Sequence, residues 1–165
     1  MNITEEPIPD EILGNIRGCA NGAVKVLGDK FANADPATIV EALDEFAYRW
    51  QKGDRPPATV VEDGEEARLI FGSLWGEQLV KEFGWQWAKV IFHDYGDSVA
   101  FGVFSPDRSM AIYPLEFMLG ALRDSTVDVT VMLAFNMLKA GKVPMMKKKS
   151  YTNVMDGVHR IVPRD

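Results

Sequence analysis

The chain has 165 residues, 47% of them hydrophobic, and a formal net charge of −6. That length fits one domain spanning 1–165 and supplies enough apolar residues for a core, while the lack of any run of about 18 apolar residues excludes a membrane-spanning helix. Residues 1–84 hold 16 acids and 8 bases and residues 85–165 hold 8 acids and 10 bases. The acidic half argues against nucleic acid as a partner, because duplex affinity rests on cationic contacts to phosphate, and it suits a basic partner or simply solubility.

Residues 1–8 read as an irregular lead-in. Glu5, Glu6, Asp10 and Glu11 stand there without a basic stretch or a long apolar run, so no secretory signal is expected. The single cysteine, Cys19, has no internal disulfide partner and fits a reducing compartment, so the expected location is cytoplasmic. Pro9 and Asp10 open the first predicted helix. Ile12, Leu13, Ile16, Ala20, Val24 and Leu27 recur at helical spacing along it. Gly14, Gly18 and Gly22, four apart, form either a groove for close approach or a break in the helix, since each costs about 1 kcal/mol against alanine there.

The second helix has a clear start, with Asp35 as N-cap and Pro36 in the first turn. Its apolar face is Ile39, Val40, Leu43, Phe46, Ala47 and Trp50. Lys52-Gly53-Asp54 and Pro56-Pro57 break it, and residues 52–62 read as a loop between helices. Glu62, Asp63, Glu65 and Glu66 then crowd the start of a third helix, where the helix dipole favours anions. Ala67, Ile70, Phe71, Leu74, Trp75, Leu79 and Phe83 give it a broad apolar stripe. Gly72 and Gly76 inside that stripe predict close backbone approach, and Gly84 ends the helix.

From Trp85 the period changes to two. A strand over 85–93, a turn at Asp94-Tyr95-Gly96-Asp97, a strand over 99–104, a turn at 105–108 and a short strand over 110–113 make an antiparallel meander. Pro114 opens a short helix. Ser125 or Thr126 is the expected cap of a last one ending at Gly141. Residues 142–165 read as an irregular, extended tail, with Val154, Met155, Val158, Ile161 and Val162 packing part of it back. The predicted fold class is α+β: a helical N-terminal half on a three-stranded antiparallel meander, followed by C-terminal helices and a tail.

Chemistry-bearing motifs are scarce. His93 precedes a turn and His159 lies in the tail. With one cysteine and no metal-type spacing, no metal ligand is assigned. Ser73 has the wrong flanks for a nucleophile elbow, and no phosphate-binding glycine loop occurs, so neither a catalytic nor a cofactor-binding residue is assigned. Glu77 with Asp94 or Asp97 stays open as an acid/base pair. Lys147-Lys148-Lys149, with Lys142, is read as a solvated loop, and Trp50, Trp75, Trp85 and Trp87 as core.

Gly72, Gly76, Glu77, Leu79, Gly84, Trp87, Tyr95-Gly96, Ile112, Tyr113 and Pro114 follow a pattern of helix, Trp-containing strand and strand ending in Tyr-Pro. In these residues the chain resembles a family of small bacterial proteins of unknown function. The resemblance covers about a third of the chain and implies a helix-plus-meander fold, with no catalytic residues to carry over. The expectation for function is therefore a non-enzymatic, cytoplasmic interaction module, of immunity-protein type, that meets a basic protein partner. The candidate surface is Glu62, Asp63, Glu65, Glu66, Asp94, Tyr95 and Asp97. The alternative is a small enzyme or ligand sensor with a pocket between sheet and helices.

Overall fold

The helical half is built around its third helix. The computed structural model describes residues 2–164 and packs α1 (Asp10–Leu27), α2 (Pro36–Gln51) and α3 (Gly64–Phe83) together. In α3, Ala67, Ile70, Phe71, Leu74, Trp75 and Leu79 are buried, and so are Gly72, Ser73, Gly76 and Gln78 between them. A helix that is apolar on most of its circumference must be enclosed. Helices α1 and α2, the later helix α4 (Pro114–Arg123) and the sheet do this.

The start at Asp35 and the stop at Gly84 act as the sequence predicts, and Asp63, read there only as one of the acids crowding the start of α3, is that helix's N-cap. Asp35 accepts the Thr38 N–H at 2.8 Å, and Asp63 accepts the Glu66 N–H at 2.9 Å. Glu66 in turn accepts the N–H of Glu62. The first two bonds satisfy donors that a helix start leaves without an intrahelical partner, and the third ties down the residue before the cap. Gly84 closes α3 at φ 67°, the left-handed conformation that glycine adopts most readily.

The sheet is larger than the predicted meander. It has five strands in the order β1 (Ile3–Glu6), β2 (Gln86–Phe92), β3 (Ser98–Phe104), β4 (Met110–Ile112) and β5 (Thr152–Asn153). The first four pair antiparallel and β5 joins β4 in parallel, so the sheet is mixed. Two readings are thereby corrected. Residues 3–6 of the supposed lead-in form an edge strand, and the tail contributes a strand and a short 3₁₀ turn at Val154–Gly157. Neither was visible locally. Ile-Thr-Glu-Glu has one apolar residue and no alternation, and a two-residue strand is too short to show a period.

The register places Trp87, Val103 and Ile112 side by side on the face that meets the helical core. Ala88, Val90, Phe104 and Ala111 form a second, smaller cluster on the other face, with Tyr113 and Tyr151 packed against it. A clasp runs between the sheet edge and the β3–β4 turn. Arg108, at φ 58°, gives two hydrogen bonds to Glu5, 2.6 Å to Oε1 and 3.1 Å to Oε2, and Tyr151 donates to Glu5 Oε1 at 3.0 Å. These bonds, the Arg108 one foremost, hold the Glu5 carboxyl below its ordinary range. A depressed carboxylate stabilises the fold above its unfolded pKa, and that contribution is lost as pH falls through the folded value. Glu5→Gln is expected to lower stability by about 1–2 kcal/mol at neutral pH. Paired urea melts should show the gap to the unmodified protein narrowing once the pH drops below about 4.3, the unperturbed glutamate value. A gap independent of pH would refute the clasp as an electrostatic one.

The small-residue face of α1 is used only in part. A β-carbon at Gly22 would touch Ile70 of α3 at 3.8 Å, while one at Gly14 or Gly18 would meet nothing within 4 Å. Cys19 is half-buried against the core.

Candidate functional site

The acidic start of α3 is committed largely to structure. Asp63 is the N-cap and Glu66 binds a backbone N–H. Glu65 pairs with Arg68 at 3.1 Å and with Arg123 of α4, and Glu62 stays exposed. At the β2–β3 connection, Asp94 accepts the Asn2 N–H at 2.8 Å, and Tyr95 projects outward at 66% exposure. Among the described residues, no hydrogen bond or ion pair joins these two sets.

Asp97 lies 2.6 Å from His93 Nδ1, and His93 Nε2 lies 2.7 Å from Thr4 Oγ1. This is the hydrogen-bond order of a hydroxyl–imidazole–carboxylate relay. It stands at the exposed end of the hairpin, where water competes for each bond, and it ties edge strand β1 to the turn. Glu77 is remote from it. Glu77 is half-buried beside Arg17 of α1 at 3.9 Å, in a cleft of about 810 Å³ that Lys25 and Lys81 line together with apolar residues such as Val24 and Leu74. Burial raises its pKa above the usual carboxylate value, against the pull of Arg17 and Lys81. The open acid/base pairing of Glu77 with Asp94 or Asp97 therefore has no geometric support. The four tryptophans are all buried, as expected of core.

The most unusual carboxylate is one that no motif marks. Asp44 of α2 is 2% exposed, the only acidic side chain in the buried set among the described residues. An isolated buried carboxylate is costly and is retained when it is paired. Its Oδ2 accepts the Met132 N–H at 2.9 Å, in the first turn of α5 (Val131–Lys139). Its Oδ1 meets the guanidinium of Arg164, with Arg160 4.0 Å away. Thr130, at the start of α5, makes no side-chain cap, so Asp44 supplies from another helix the anion this terminus favours. That corrects the expectation of a local cap. Ser125 and Thr126 lie earlier, where Asp124 Oδ1 takes both the N–H and the hydroxyl of Thr126.

Around Asp44 the surface forms a groove of about 590 Å³ between α2 and α5, walled by Phe31, Glu41, Glu45, Met132 and Leu133. The tail segment 160–164 lies along it and separates it from a second depression of about 490 Å³ beside Tyr48 and Asp128. Arg160 donates to Asp128 at 3.1 Å and to the Val129 carbonyl at 2.9 Å. Arg164 stacks over the Tyr48 ring at 4.4 Å while its guanidinium reaches Asp44. A buried carboxylate below, an aromatic face beside and further carboxylates at the rim are the elements that bind a guanidinium well. The tail holds on by these two arginines. Contrary to the expected packing, Ile161 and Val162 between them are 97% and 77% exposed, while Val154, Met155 and Val158 do pack back as predicted.

Sequence reasoning passed over Asp44. The available signal was its position, four residues after Val40 and three before Ala47, which puts a charge on the buried face of α2. Its partners are about 90 and 120 residues away in the chain, and no local pattern announces them.

These features define a small α+β fold with a groove in which the chain's own Arg164 is seated. No family model, curated protein or solved structure matches the chain. Among the described residues no helix is long and apolar enough to cross a membrane, and no cluster of three or more His, Cys, Asp or Glu side chains is placed to hold a metal ion.

Proposed function

We propose that the protein is a non-enzymatic interaction module that receives an arginine-bearing basic segment of a partner protein in the α2–α5 groove. The observation that carries this reading is the seat itself, in which Asp44 and Tyr48 already hold a guanidinium. The charge around it is complementary to such a partner. Glu41 and Glu45 line the mouth, and Glu41 has no ion-pair partner among the described residues. An immunity-type role is the form of this reading in which the basic partner is a toxin. The acidic start of α3 then acts at longer range, by steering a cation toward the domain.

The test is calorimetric titration with a synthetic arginine-rich peptide, and with the same peptide carrying citrulline in place of arginine. Binding should require arginine. It should weaken at least tenfold between about 0.1 M and about 1 M salt, as the screening length falls from about 10 Å to about 3 Å. Glu41→Gln with Glu45→Gln should weaken it several-fold without loss of fold, both side chains being exposed. Equal affinity for the citrulline peptide, or no effect of the double substitution, would refute the reading.

A further inference from the structure

We infer that the C-terminal segment 160–164 is a built-in competitor of the partner, with Arg164 standing in for the partner's arginine, an inference that rests on the function proposed above. Three observations carry it. First, the Arg164 guanidinium occupies the one place where the groove offers a buried carboxylate, and in doing so it covers Tyr48. A basic segment cannot reach Asp44 while that side chain is seated.

Second, the seat suits Arg164 imperfectly. Its Nη1 is buried with no hydrogen-bond partner among the described residues, and burial lowers the pKa of its guanidinium. An enclosed, unpaired N–H of a charged group is a standing penalty. A guanidinium arriving from another direction escapes it if it uses both of its edges, for example one on Asp44 and one on Glu41 or Glu45.

Third, the segment is held at points and not along its length. Ile161 and Val162 bury almost nothing. What fastens it is Arg160 on Asp128 and Val129, and Arg164 on Asp44 and Tyr48. Arg160 comes no nearer than 4.0 Å to Asp44 and gives its hydrogen bonds to Asp128 and Val129, so it can keep the segment tethered after Arg164 has lifted. A tethered competitor acts at high effective concentration and lowers the apparent affinity by the fraction of molecules in which the seat is filled. The exposed Ile161-Val162 pair is then free to meet the arriving partner.

The deciding experiment compares the unmodified protein with Arg164→Gln in titration with the same arginine-rich peptide. Hydrogen exchange of residues 158–164 is followed in parallel. The expected result is at least a fivefold tighter Kd for Arg164→Gln, and in the unmodified protein faster exchange of 158–164 when peptide is bound. Should Arg164→Gln fail to fold, Arg160→Gln, which loosens the tether and leaves the Asp44 pair in place, should also tighten binding. An unchanged or weaker Kd in a folded variant, or unchanged exchange on binding, overturns the competitor while leaving the groove as a binding site. Peptide bound by neither protein overturns both readings.

Discussion

Asp44→Ala is expected to destabilise the protein by about 3 kcal/mol, a large fraction of the roughly 5–15 kcal/mol that holds a domain of this size together. Two groups lose their acceptor at once, the Met132 N–H and the Arg164 guanidinium. The Met132 N–H, near the start of α5, faces an apolar wall in place of an anion. Arg164 loses the one carboxylate it pairs with among the described residues, whereas Arg160 keeps Asp128 and the Val129 carbonyl. The penalty comes mostly from the groups left behind, and it is held toward the low end of the range because both guanidiniums remain about a quarter exposed. Asp44→Asn keeps an acceptor for Met132 and gives up the charge, so it should cost about 1–2 kcal/mol, the scale of a charge-assisted hydrogen bond. Chemical denaturation reads both values. Equal losses for Ala and Asn would mean that the carboxylate charge contributes nothing.

The same kind of substitution should have opposite signs at two glycines of the helical half. In Gly76→Ala the new β-carbon would fall 2.0 Å from one ring carbon of Trp87 and 2.4 Å from another. Trp87 is itself buried on the inner face of the sheet, so its ring has little room to retreat. Overpacking of this kind costs about 3 kcal/mol or more, against about 1 kcal/mol gained from alanine's better helix propensity. The net loss should be at least about 2 kcal/mol. Gly72→Ala is the milder neighbour, its β-carbon meeting Leu115 of α4 at 2.8 Å from the side chain and 3.0 Å from the backbone. At Gly14 or Gly18 a methyl group meets nothing, and only the propensity gain of up to about 1 kcal/mol remains. Melting curves of the four alanine variants should therefore fall on both sides of the parent. A stabilising Gly76→Ala would show that α3 does not lie against the Trp87 ring.

The contrast between these glycines shows where local pattern stops being informative. Gly72 and Gly76 lie within a stripe of large apolar residues, which is why close approach could be read there. Gly14, Gly18 and Gly22 have the same spacing, yet only Gly22 faces another helix. Spacing defines a face of a helix and does not say what is laid against it. The alternation over 85–104 predicted two strands because each has enough residues to show a period, whereas Ile3–Glu6 becomes a strand only because the exposed edge of β2 is there to pair with it.

What the sequence determined by itself was features whose cause lies within a few residues: the cap at Asp35, the acidic start of α3 and its broad apolar stripe, the stop at Gly84, the strand periods and the Pro114 helix start. Only the tertiary structure decided which charges matter. It gathered Thr4, His93 and Asp97 at one end of the sheet, and joined Asp44 to Met132, Arg160 and Arg164. The physical reason is that the burial of a charge, and the partner that makes that burial tolerable, are set by how elements far apart in the chain come to lie together.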